Sequence, residues 1–170
     1  MQSFFEIRAK RGDEKFLSMK DFNDHIKKQK KNDQRAFSPF KDNLDLFYLS
    51  LLVGLTYDVK SSIDRYDLGE LTDEWTLELS ENSNAKDYII AIYLNLITKK
   101  AQNNKGAIKE ILNKSLDSRK KTSLSKEGLK EIHEYCFGGY EKIVETFNNQ
   151  PPSSLVDFFY KYKNLIDKTI

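Results

Sequence analysis

The tightest constraint on this chain is a short run that offers water almost nothing. In "DNLDLFYLSLLVGL", only Asp45 and Ser50 interrupt the apolar residues between Leu44 and Leu55. The run reads as a helix from Asp42 to Leu55, and a helix apolar on nearly every side must be buried on several of them. It is shorter than the ~20 residues that cross a bilayer. It is therefore predicted to be a central helix on which the rest of the chain packs. Gly54 stands where a C′ glycine would end it.

The neighbouring segments supply the packing. "NAKDYIIAIYLNLITKK" (Asn84 to Lys100) reads as a second apolar helix. Lys105 to Asp117 is amphipathic, with Ile108, Ile111, Leu112 and Leu116 on one stripe. Ser125 is a good N-cap for a long helix reaching Phe147, and Leu124 with Leu129 occupies the two positions of a hydrophobic staple. After "NNQPPSS", Ser153 or Ser154 caps a last helix with the stripe Leu155, Phe158, Phe159, Tyr162, Leu165 and Ile166. Earlier, Ser18 to Lys31 reads as a helix capped by Ser18, with Met19, Phe22 and Ile26 facing inward. Residues 3–11 alternate enough for a short strand, and residues 56–82, which hold the only Trp, read as irregular structure or short helices. Only 7 Gly and 3 Pro are present, too few for the many turns of a β-sandwich. The expected fold is a mainly α, compact multi-helix domain covering residues 1–170, with 1–17 as an N-terminal extension, strand or hairpin.

The long helix carries "CFGGYEK" in its middle, and each mid-helix glycine costs about 1 kcal/mol against alanine. The apolar stripe runs through Ile132, Cys136, Gly139, Ile143 and Phe147 without a phase break. This predicts that Gly138 and Gly139 form a packing notch in a continuous helix, which another backbone or ring can enter. A kink at Gly138 is the competing reading.

Little in the sequence points to catalysis. His133 and Cys136 share one helical face, but a zinc site needs three or four ligands. The only other His is His25, and there is no second Cys. Cys136 as a nucleophile has no evident orienting partner. Acidic pairs at Asp64/Asp67, Asp73/Glu74, Glu131/Glu134 and Glu141/Glu145 arise readily by chance among 26 acidic residues. No phosphate loop or nucleophile elbow is present. The reading is of a non-enzyme with no catalytic, cofactor or metal residues. A small metal-dependent nuclease or cysteine enzyme is the least supported alternative. A single Cys forbids an internal disulfide and, with no leader-like apolar core at the start and no membrane-length run, predicts a cytoplasmic protein.

Two other features bear on binding. The basic residues Lys27, Lys28, Lys30 and Lys31, together with Arg119, Lys120 and Lys121, could contact DNA phosphates if the fold gathers them. With 28 basic against 26 acidic residues the net charge is only +2, so direct DNA binding is the alternative rather than the leading reading. The aromatics number 21, and Phe158, Phe159, Tyr160 and Tyr162 on the last helix are predicted to form a partner-docking surface.

Two segments together carry a family resemblance. "FSPFKDNLDLFYLSLLVGL" and, about 80 residues later, "IHEYCFGGYEKIVETF" resemble motifs of small accessory proteins from bacterial anti-phage defence systems. These are the small subunit of Lamassu-type systems and the similar protein encoded beside DNA phosphorothioation genes. Gly138 and Gly139 fall on the family's glycine pair and Gly54 on its helix end, whereas Cys136-Phe137 replaces a small pair. The resemblance covers about a third of the chain and rests on packing motifs. It implies a non-catalytic subunit that binds a larger SMC-like ATPase and helps hold or regulate an effector nuclease.

Overall fold

The computed structural model describes residues 18–19, 21–22, 43–65, 83–99, 101, 104–120 and 122–167. The described part is mainly α, with five α-helices and no strand. They are α1 (Asn43–Tyr57), α2 (Ser83–Lys99), α3 (Lys105–Ser115), α4 (Lys126–Thr146) and α5 (Leu155–Asp167), with a 3-10 turn at Ile63–Arg65. The possible strand in 1–17 and residues 66–82 lie outside the described residues.

The helix ends follow from their local chemistry. Ser125 caps α4 by accepting the Gly128 amide at 2.9 Å, and the staple residues Leu124 and Leu129 are both buried. Asn104 caps α3 by accepting the amides of Gly106 and Ala107. Ser154 caps α5 through the Asp157 amide at 3.1 Å, while Asp157 reaches back to the Ser153 amide at 3.0 Å. At the start of the described chain, Ser18 accepts the Asp21 amide at 3.1 Å, and Met19 and Phe22 enter the core.

Two boundaries differ from the sequence expectation. Gly54 does not end α1, which continues to Tyr57. Asp58, at φ 53°, takes the left-handed closing position instead, and the Val59 amide bonds back to Gly54 O at 2.9 Å. Helix α3 stops at Ser115 rather than Asp117, because Leu116 turns extended and pairs with Leu124 in an antiparallel bridge.

Helices α1 and α4 make the most extensive contact in the fold. Their crossing is reciprocal. A Cβ on Gly139 of α4 would lie 1.8 Å from Ser50 O and 2.5 Å from Gly54 N of α1. A Cβ on Gly54 would lie 1.9 Å from Tyr135 O of α4. Each helix thus places a glycine against a main-chain carbonyl of the other, the geometry of Cα–H···O contacts between closely packed helices. Ser50, four residues before Gly54, keeps the crossing narrow; its buried hydroxyl donates to Leu46 O at 2.7 Å. The core spreads from this crossing through Leu46, Phe47, Leu51, Val53, Ile132, Tyr140 and Ile143. Helix α2 adds Ile89, Ile90, Tyr93 and Ile97.

An aromatic cluster seats α5. Phe158 stacks on Phe147 with ring centroids 5.8 Å apart and meets Phe22 edge-on, also at 5.8 Å. Tyr162 also stacks on Phe158 and donates to Leu49 O of α1 at 3.1 Å.

Candidate interaction surface

Helix α5 is amphipathic with a twist: part of its outward side is apolar. Phe158 is fully buried, while Val156 is 77% exposed, Phe159 43% and Tyr160 67%. These three lie at i, i+3 and i+4, so they share one face over the first two turns. The same face then turns polar at Lys163, which pairs with Asp167. Isolated exposed apolar residues are ordinary, but a contiguous set on one helix face is the kind of feature that marks contact surfaces.

The expected docking set therefore divides. Phe159 and Tyr160 are on the surface. Phe158 is fully buried between Phe22, Phe147 and Tyr162, and Tyr162 is partly buried with its hydroxyl bonded to α1. Burial pushes the Tyr162 hydroxyl pKa well up, with the Tyr48 hydroxyl nearby adding to it.

The side chains weighed for chemistry are inside the molecule. His133 is buried with Nδ1 2.8 Å from Leu129 O, its ring edge-on to Phe47 and Phe137. Cys136 is fully buried, donates to Phe47 O at 3.5 Å, and has its thiol pKa raised by burial. Among the described residues no group of three or more His, Cys, Asp or Glu side chains is arranged to hold a metal ion.

The basic runs are only partly visible. Lys27, Lys28, Lys30, Lys31 and Lys121 lie outside the described residues. Arg119 and Lys120 are exposed in the α3–α4 loop. Arg119 is engaged there by Asp117 through Nε at 2.9 Å and Nη2 at 3.0 Å. Those bonds, with the Arg119 amide, hold the Asp117 carboxyl at about 2.

Sequence reading missed one polar junction. The Glu131 carboxylate accepts from Lys60 Nζ at 2.5 Å and from the Tyr93 hydroxyl at 2.6 Å. Burial works against its charge, yet the two hydrogen bonds and the ammonium groups of Lys60 and Lys114 outweigh it and lower its pKa. The Tyr93 hydroxyl is pushed far up by burial and by that same carboxylate. In the sequence Glu131 stands out only as half of the acidic pair with Glu134. Its partners are brought from α2 and from the segment after α1, so local sequence gives no sign of them.

The fold and surface together define a class: an α-helical domain whose core is closed around a glycine crossing and whose last helix shows aromatics to solvent. No protein-family model, curated protein or solved structure matches the chain. Among the described residues no helix is long and apolar enough to cross a membrane.

Proposed function

We propose that this chain is a non-catalytic interaction subunit that docks onto a larger protein through the outward face of α5. The observation that carries this reading is the row Val156, Phe159 and Tyr160, exposed side by side on a helix whose other side is firmly seated in the core. Rigid aromatic side chains held by a packed scaffold lose little entropy on binding and give large contact area. Their anchoring fits that role: Phe159 packs edge-on against the buried Phe158 at 5.4 Å, so its ring is presented rather than loose.

The setting follows from the resemblance of residues 37–55 and 132–147 to anti-phage accessory subunits. In that setting the partner is an SMC-like ATPase, and the chain helps hold or regulate an effector nuclease in the cytoplasm. The burial of His133 and Cys136 supports a packing role for α4 over a chemical one.

Co-expression with the proteins encoded beside it, followed by size-exclusion chromatography, tests the reading. The expected result is co-elution with one larger partner. Elution alone in the presence of every neighbour would count against it.

A further inference from the structure

The segment after α1 lies across α4 in a way the interaction role does not require. Val59 to Ser62 lies against the helix, and its contacts fall on a single face of α4. Lys60 Nζ bonds Glu131 and sits 4.5 Å over the Tyr135 ring. The Tyr135 hydroxyl donates to Asp58 at 3.0 Å. The Ser61 amide donates to the main-chain carbonyl of Glu134 at 2.9 Å, and its hydroxyl to Glu141 at 3.0 Å. Residues 131, 134, 135, 138 and 141 recur at helical spacing, so this is one strip of surface.

Gly138 makes the approach possible. In a helix the carbonyl of residue 134 points along the axis toward residue 138, whose side chain ordinarily screens it. Gly138 has none, and a Cβ there would lie 2.5 Å from Val59 O and 2.9 Å from Lys60 N. The two adjacent glycines therefore serve different partners: Gly139 meets α1, and Gly138 meets the strap.

We infer that residues 58–62 form a strap that opens from α4 as a unit while the α1–α4 crossing stays closed, and that Lys60–Glu131 is its clasp. The contrast in bonding carries this. The crossing is backbone packed on backbone among buried apolar side chains. The strap also lays backbone against Gly138 and buries Ser61, but it adds no side chain to the apolar core and is otherwise held by hydrogen bonds and a partly exposed ion pair, with side chains 39% and 26% exposed. Elements with few buried apolar contacts open at lower free energy than the core they lie on. Glu131 also accepts from Tyr93 of α2, so the carboxylate that closes the strap is positioned by a third element. Opening uncovers Glu131, Glu134 and Glu141 together with the Glu134 carbonyl. It is a device by which a contact near α2 or α4 would rearrange this side of the molecule without disturbing its core.

Amide hydrogen exchange on the full chain tests it, with two variants that disturb the strap by different routes. Lys60→Met keeps the aliphatic stem and removes the charge. Gly138→Ala inserts a methyl under Val59 O, and the three atoms it would meet first all belong to the strap backbone. Lys60→Met is expected to speed exchange at the Ser61 amide, which bonds Glu134 O of α4, by about tenfold, the scale of one charged hydrogen bond at a partly exposed site, and Gly138→Ala is expected to speed it too. In the wild type and in the Lys60 variant alike, the Ser61 amide should exchange faster than the buried amides of residues 132–144, which open only with the core. Added salt should likewise speed the Ser61 amide of the wild type by screening the Lys60–Glu131 pair. The inference is overturned if the Ser61 amide of the wild type exchanges only as slowly as the α4 core, which would mean that strap and core open together. It is equally overturned if Lys60→Met leaves the Ser61 amide unchanged.

Discussion

Replacing Gly139 by alanine should destabilise this protein, although the same change in an ordinary helix would stabilise it. The added Cβ would stand 1.8 Å from Ser50 O, 2.5 Å from Gly54 N and 2.9 Å from Ser50 C. All three are main-chain atoms of α1, so no side chain can swing aside. A carbon–oxygen contact settles at roughly 3.3 Å or more, so the helices must part locally by about 1.5 Å. Parting them also loosens the reciprocal contact of Gly54 with Tyr135 O and the apolar residues flanking it. Overpacking of this kind costs typically ~1–3 kcal/mol, and rigid backbone neighbours put this case at the upper end. Alanine's helix propensity returns about 1 kcal/mol. A net loss of about 2 kcal/mol lowers Tm by roughly 4–8 °C for a chain of this size. Thermal unfolding followed by far-UV circular dichroism measures it. Gly106 is the internal control, because its added Cβ meets only the Asn104 side chain, at 3.3 Å; Gly106→Ala should leave Tm unchanged or raise it slightly. If Gly139→Ala matched the wild type or exceeded it, the interlocked crossing would be wrong.

Other expectations follow from the same geometry. Phe158→Ala should cost about 3–5 kcal/mol in urea unfolding, because it empties the space between Phe22, Phe147 and Tyr162. Tyr160→Ala, one helical step beyond the exposed Phe159, should stay within about 0.5 kcal/mol of wild type. Cys136 should resist a thiol reagent in the native protein and react at once in denaturant, since burial both shields the sulfur and disfavours its thiolate. Glu131 sets a pH dependence whose sign can be worked out. Its folded pKa lies below the ordinary value of 4.5, so its contribution is complete above that pH and is lost as pH falls through the lower folded value. Glu131→Gln should flatten the acid side of the stability curve, as read from urea midpoints across that range.

Much of this architecture was legible because it rests on periodicity. The apolar run of α1, the capped stripe of α4 and the amphipathic α5 each announce their element within a few residues. The failures have local causes too. A glycine near the end of an apolar run looks the same whether it closes the helix or admits another one. Gly54 does the second, and only the register of α4, with Tyr135 facing it, distinguishes the two. The stripe on α5 includes Phe158 and Phe159 as neighbours, yet successive residues differ by about 100° around a helix, so one enters the core and the other leaves it. The Lys60–Glu131–Tyr93 junction joins positions 71 and 38 residues apart, and nothing near any of the three records the meeting. For the interaction surface, sequence supplied the helix and its surplus of aromatics, and packing decided which of them face outward.

The most direct measurement concerns that surface. Phe159→Ser with Tyr160→Ser removes the exposed rings and spares Phe158 and Tyr162. Wild type and variant would each be co-expressed with the neighbouring gene products and passed over a size-exclusion column, with circular dichroism confirming that the variant is folded. The account predicts that the wild type elutes with a larger partner and that the folded variant elutes alone. A variant that remains in the complex, or a wild type that never enters one, would contradict it.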